Sequence, residues 1–323
     1  MHIVARCAWC LALLSAAAVH AATGMVYVSS EKDHAIAVID PQSMAVVGSI
    51  ATCRRPRHMQ RLPDRARLLV ACSDSSRADI VDLASRKSIG QVPLGDDPEL
   101  FDLSADGRTV YVSSEEAGAL LMIDIGSGKL LRSVEVGQEP EGVKVSRDGR
   151  TVFVTSEVAN LVHAVDAATG RIVRNIPVGR RPRRMALSVD GSELWVTNEM
   201  GSSISVISTR DLSVLSTIEF RIAGMRPDDI TPVGLAMSPD GRTAYVCLGR
   251  ANHVAFVDAA TRQVTRTVLV GRRAWGVGLS RDGSRAYVAN GLSDDLTVID
   301  TAKGKALKTI PVGRVPHTVV VDD

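Results

Sequence analysis

The strongest constraint on how this chain folds is an internal repeat. Seven rows open at Met25, Arg67, Thr109, Thr151, Glu193, Thr243 and Arg285, 42 residues apart except for one step of 50. Third in each row stand Tyr27, Leu69, Tyr111, Phe153, Trp195, Tyr245 and Tyr287, so most aromatics of a chain with only 3% of them share one register. Sixteenth come Asp40, Asp82, Asp124, Asp166, Ser208, Asp258 and Asp300. Asp-Gly pairs recur at Asp106, Asp148, Asp190, Asp240 and Asp282. Prolines recur at 56, 98, 140, 182, 232 and 316, with Ala274 in the remaining place.

Each row reads as four short strands. Thr151–Thr155 alternates and is rich in β-branched and aromatic residues. Leu161–Val165 and Ile172–Val178 follow, separated by an Asp-x-x-Thr-Gly turn in which the Asp side chain can accept backbone N–H groups. Gly142–Ser146 ends at an Asp-Gly hairpin. A period near 40 residues with four strands per unit predicts an all-β, seven-bladed β-propeller of four-stranded antiparallel blades. No blade buries both faces alone, so the ring must close. The chain begins with Met25–Ser29, which is not an innermost strand, and finishes with His317–Asp322, which is. A 3+1 closure by the C-terminal strand follows, leaving no free edge.

Residues 1–21 read as a secretory signal: His2 and Arg6, an apolar run from Cys7 to Val19, and a small residue at the cleavage point, Ala21. The propeller domain is then 22–323, in the periplasm. No later stretch has the ~20 apolar residues of a membrane span. The 38 basic and 36 acidic residues nearly cancel, which argues against a nucleic-acid partner. Cys53, Cys72 and Cys247 remain after processing; three separate buried thiols are the leading reading, and Cys53–Cys72 is the pair expected if one bridge forms in an oxidising compartment.

Antiparallel order puts the Asp-Gly hairpins and Asp-x-x-Thr-Gly turns on one face, the bottom. The loops after the aromatic strand and those between blades lie on the top, where the sequence varies and function is expected. The residues just after the recurring proline should crowd the central opening: Arg57, Glu99, Glu141, Arg183, Val233, Trp275 and His317. Those before it sharpen the pattern, with Arg54-Arg55, Arg180-Arg181 and Arg272-Arg273 basic and Asp96-Asp97 and Glu139 acidic. Arg57, Glu99, Glu141, Arg181, Arg183, Arg273, Trp275 and His317 are therefore the candidate ligand- or partner-binding residues. The competing reading is a solvated rim of Arg–Glu pairs.

A second top-face register holds Glu31, Glu115, Glu157 and Glu199, suited to accepting backbone N–H bonds or pairing with the arginines. The one insertion lies within 220–231, a candidate lid or partner contact. His58 and His317 fall in adjacent inner strands, but a zinc site normally takes three protein ligands. No metal and no cofactor is expected. No Gly-x-Ser-x-Gly, Walker A or His-Glu-x-x-His motif occurs.

Val152-Phe-Val-Thr155, Leu194-Trp-Val-Thr-Asn198 and Ala286-Tyr-Val-Ala-Asn290 resemble the Tyr-Val-Thr-Asn core of YVTN β-propeller repeats. Ile36-Ala-Val-Ile-Asp40, Ile176-Pro-Val-Gly179 and Ser238-Pro-Asp-Gly241 match the rest of that repeat. With the opening Gly24-Met-Val-Tyr-Val-Ser-Ser-Glu-Lys-Asp33, the chain is similar to the PQQ-dependent catabolism-associated β-propeller proteins. That resemblance implies a periplasmic protein linked to quinoprotein alcohol oxidation, with no activity of its own. The expected function is therefore a non-enzymatic binding or accessory protein. Its top face would hold a small polar molecule or dock a quinoprotein or electron-transfer partner. The alternative is a propeller lactone hydrolase using Glu99, Glu141, Arg183 and His317.

Overall fold

The computed structural model describes residues 22–323; the signal-peptide reading of 1–21 lies outside them. The chain forms seven four-stranded antiparallel sheets arranged as the blades of a propeller. In blades 2 to 7 the strands run from the innermost outward in chain order. Blade 1 combines Met25–Ser30, Ala35–Asp40 and Ala45–Ala51 with Pro316–Asp322 as its inner strand. Tyr27 pairs with Val320 and Val26 with Val321 across that seam, the expected 3+1 closure.

The third-place residues show why the blades pack. Each lies in an apolar cluster spanning one blade and the next. Phe153 of blade 4 packs with Leu194 and Val196 of blade 5. Trp195 of blade 5 packs with Ala244 and Val246 of blade 6. Tyr287 of blade 7 packs with Val26 and Val28 of blade 1, so the same contact closes the ring. The core is thus a set of inter-blade seams, and each large side chain buried there contributes about 2–3 kcal/mol.

The sixteenth-place aspartates cap the bottom turns as their spacing predicts. Asp124 and Asp166 each accept a backbone N–H three residues on, both at 2.7 Å. In blade 5, where Ser208 breaks the register, Asp211 takes over by accepting from the Ser213 N–H at 3.2 Å.

Cys53 and Cys72 form a disulfide with Cα atoms 5.8 Å apart, tying the loop between blades 1 and 2 to the strand Arg67–Cys72. Cys247 is free and buried, and burial pushes its thiol up to about 12, so it is inert near neutral pH. The insertion packs at both ends: Phe220 and Ile230 join the seam between blades 5 and 6. Its middle makes a short 3-10 turn, Pro227–Asp229.

Candidate functional site at the channel mouth

The inner strands share a device that aims the mouth residues. The pairing register slips just after the recurring proline, between Pro56 and Met59, Pro98 and Phe101, Pro140 and Val143, and Pro182 and Met185. Such a bulge re-aims side chains that strict alternation would point elsewhere. The residue before the recurring proline position has a left-handed backbone in six blades: Arg55, Asp97, Glu139, Arg181, Arg273 and Val315, with φ between 41° and 59°. None is glycine, although the same left-handed backbone also occurs at turns away from the mouth, such as Met44 and Arg262.

Hydroxyls one strand away then fix the backbone. Ser29, Ser113, Thr155 and Thr197, all fifth in their rows, donate to the carbonyls of Arg57, Glu141, Arg183 and Val233 in the next blade, at 2.6–3.0 Å. The sequence reading missed this register of hydroxyls, although it shows as an alternation of Ser or Thr with Ala and Cys.

Arg57, Glu99, Glu141, Arg183, Trp275 and His317 do converge on the opening, and all six are buried. Their pairing is as the rim reading expected, but the pairs are not solvated. Arg57 bonds Glu99. Arg183 reaches Glu141 at 2.9 Å, Glu157 at 3.0 Å and Glu199 at 3.1 Å. Arg181, partly exposed above, bridges Glu157 at 2.7 Å and Glu199 at 3.1 Å. Three glutamates of the second register thus accept from guanidinium groups rather than from backbone N–H groups: Glu157, Glu199 and, through Arg55 at 3.3 Å, Glu31.

Arg184 is the residue the sequence reading passed over. It lies one place beyond Arg183 and is also buried. Its guanidinium stands 3.0 Å from His317 Nε2, below the mouth, and it helps line a channel cavity of ≈ 340 Å³ with His58, Gln60 and Lys144. Burial lowers the Arg184 pKa to about 10. His58 packs edge-on against Phe101, at 4.7 Å between ring centroids.

The carboxyls divide sharply. Burial, reinforced by Glu141, pushes Glu99 up to about 10 against the pull of Arg57. Glu141 is also buried, but Arg183, Arg57 and Arg184 overcome that and hold it down to about 2. Burial raises Glu157 to about 8 despite Arg183.

Above this layer sits a cavity of ≈ 200 Å³ lined by Glu31, Arg55, Arg57, Arg183, Arg273 and Trp275. The Arg273 guanidinium lies 4.4 Å from the Trp275 ring centroid, and Arg183 5.1 Å. Trp275 Nε1, Arg57 Nε and Arg183 Nε are buried N–H donors with no acceptor among the described residues.

Comparison with known proteins agrees with the architecture. A family model described as a YNCE-like beta-propeller matches residues 62–145. The match is to propellers. No curated protein matches the chain. Among solved structures, hydrazine synthase from Kuenenia stuttgartiensis is 25% identical over 86% of this chain and 93% of that one, with a TM-score of 0.76. The periplasmic gluconolactonase PpgL of Pseudomonas aeruginosa is 23% identical over 92% of this chain and 98% of its own, with a TM-score of 0.78. The dihydro-heme d1 dehydrogenase NirN is 17% identical over 96% of this chain and 78% of that one, with a TM-score of 0.70. The likeness to PpgL and NirN is one of fold. Among the described residues no helix is long and apolar enough to cross a membrane.

Proposed function

We propose that the protein is a non-enzymatic binding propeller that takes a compact anion, carboxylate-bearing and polar, into the mouth of its channel. One observation carries this reading: three residues that line a single cavity, Trp275, Arg57 and Arg183, each keep a buried N–H donor without a protein acceptor. An unpaired buried donor costs about 1–3 kcal/mol, and a carboxylate would supply acceptors to several at once. The stacked Arg273 and Trp275 would form one wall. A cavity of ≈ 200 Å³ limits the guest to a few carbons.

A periplasmic setting is supported by the N-terminal apolar run and by the Cys53–Cys72 bridge, which suits an oxidising compartment. The resemblance to PQQ-associated propellers supports an accessory role beside quinoprotein alcohol oxidation. There a small carboxylic acid is a fitting guest, because carboxylic acids are products of alcohol oxidation. The half-exposed Arg181 and the exposed Arg180 and Arg272, rather than the buried Arg183, are the rim cations open to a protein partner.

The test is calorimetry of the purified chain from Ala22 with small hydroxy- and dicarboxylates and their neutral amides. Only the carboxylates should bind. Trp275→Phe, which keeps the ring and removes the Nε1 donor, and Arg273→Ala should each raise Kd about tenfold, the ~1.4 kcal/mol of one good hydrogen bond. Equal binding of acids and amides, or none of either, overturns the reading.

The second reading is lactone hydrolysis, favoured by the fold likeness to a gluconolactonase. Against it, the arginines that hold Glu141 at about 2 make it a weak base, and Arg184 occupies one face of His317. Lactone turnover abolished by Glu141→Gln or His317→Asn would establish this reading in place of the first.

A further inference from the structure

Three registers meet on the top face of every blade: the residue before the recurring proline position, the residue after it, and the residue that follows the aromatic strand. Blade 3 places Asp97, Glu99 and Glu115 there; blade 4 places Glu139, Glu141 and Glu157. The two triads have the same charge and different fates. Blade 5 neutralises the blade 4 triad: Arg181 stands 3.9 Å from Glu139 and 2.7 Å from Glu157, while Arg183 stands 2.9 Å from Glu141 and 3.0 Å from Glu157. Blade 3 has blade 4 as its neighbour on that side, and blade 4 offers acids in the same places. From blade 2, Arg57 takes Glu99 Oε1, and Arg55 stands 3.9 Å from Asp97, as far as Arg181 is from Glu139, while also serving Glu31 and Asp74; the triads differ at Glu115, whose counterpart Glu157 has two arginines. Glu115 has no ion pair or side-chain hydrogen bond among the described residues.

One carboxylate oxygen from each of Asp97, Glu99 and Glu115 lies within 4.8 Å of the other two. Glu99 is only 1% exposed, and its Oε2 has no hydrogen-bond donor. A buried Oε2 without a donor, beside a Glu115 that no cation among the described residues reaches, points to a cation from outside the chain, which would displace the proton that burial leaves on Glu99.

We propose that Asp97, Glu99 and Glu115 bind a divalent cation of the calcium type at the top of blade 3. The donors are all hard carboxylate oxygens, with no imidazole or thiolate to favour zinc or copper. Oxygens around Ca²⁺ at about 2.3–2.6 Å lie up to about 5 Å apart across the ion, so a triad within 4.8 Å can close on one without rearranging, and flexible coordination suits a site completed by water. Asp97 and Glu115 are partly exposed, so water completes the shell. The ion would replace for blade 3 the charge that Arg181 and Arg183 supply to blade 4. The two sites share Arg57, but the cation proposal is argued from the carboxylates alone and does not rest on the anion reading.

The experiment is titration of chelator-treated protein with CaCl₂, followed by calorimetry and by thermal unfolding. One equivalent should bind and raise Tm. Glu115→Gln, at a partly exposed and unpaired position that does not disturb packing, should raise Kd at least tenfold. Glu139→Gln, the matched change in blade 4, should leave Kd within twofold. No binding by about 10 mM Ca²⁺, well beyond the weakest extracellular sites, overturns the proposal. Equal losses from the two variants overturn it as well, since they would indicate diffuse attraction by the rim. Binding of Zn²⁺ but not Ca²⁺ would overturn the hard-cation assignment.

Discussion

At the scale of single residues, His317 shows how the mouth constrains protonation. Its ring is 1% exposed, with Arg184 at 3.0 Å and the Thr318 hydroxyl at 3.0 Å. Burial, then the charges of Arg184, Arg57, His58 and Arg183, holds its pKa well below 6.5. The native histidine is therefore neutral where an unfolded one would take a proton. The unfolded chain binds the extra proton below about pH 6.5, so this group's contribution to stability is present above that pH and falls as pH drops, by up to about 1.4 kcal/mol per unit. His317→Gln removes that dependence. The stability gap between wild type and variant, from urea midpoints, should narrow by about 2 kcal/mol between pH 7 and pH 5. A gap that stays constant would mean that His317 titrates alike in the folded and unfolded protein, and a gap that widens would mean that it is charged in the folded one; either result overturns the prediction.

At the scale of elements, the inner strands decide which side chains reach the site. Successive inner strands approach so closely that Gly142, Gly234 and Gly276, each two places after the recurring proline position, have no room for a side chain. A Cβ on Gly142 would lie 2.0 Å from the Arg183 carbonyl oxygen, the atom Thr155 also holds. Gly142→Ala should therefore cost about 1–3 kcal/mol by overpacking, and should weaken mouth ligands by shifting Arg183. Gly126→Ala, on an open turn with its nearest contact at 3.6 Å, should be nearly neutral; denaturant melts of the pair decide the matter. These strands also mark the limit of what the sequence shows. Blade number, strand order and ring closure are legible because they repeat with the chain. The convergence of Arg57, Glu99, Glu141 and Arg183 is legible because they share one register. Arg184 is not, because simple alternation from Arg183 turns it away from the opening, whereas the bulge after Pro182 keeps both arginines buried at the channel. The contrast between the blade 3 and blade 4 triads is equally hidden, because it depends on which blade stands beside which.

At the scale of the whole molecule, stability rests on closing the ring. Pro316–Asp322 is the inner strand of blade 1 and also packs at the seam with blade 7 through Val319. Its Asp322 carboxylate, fully buried, accepts from the Thr23 backbone N–H at 2.8 Å and from its hydroxyl at 2.7 Å, and pairs with Arg61 of blade 2 at 2.5 Å. The last strand thus binds three blades at once. Removing residues 316–323 would expose two seams and an unpaired edge. The buried Val319 forfeits about 1.5–3 kcal/mol and the half-buried Val320 and Val321 a smaller amount each, before the ladder hydrogen bonds and the Asp322 contacts are counted. Together these losses approach the net stability of a typical domain, about 5–15 kcal/mol. The truncated chain should show no cooperative thermal transition. Connectivity as such should matter little, because the Gly24 N–H already bonds the Asp322 carbonyl at 2.8 Å and the ends of the domain lie together. A circular permutant that joins Asp323 to Thr23 through a short glycine linker and opens between Gly128 and Lys129, at an exposed bottom turn, should melt in one transition within a few degrees of the parent. If truncation leaves a cooperative fold, or if permutation destroys it, the seam around Pro316–Asp322 is not what holds the ring closed.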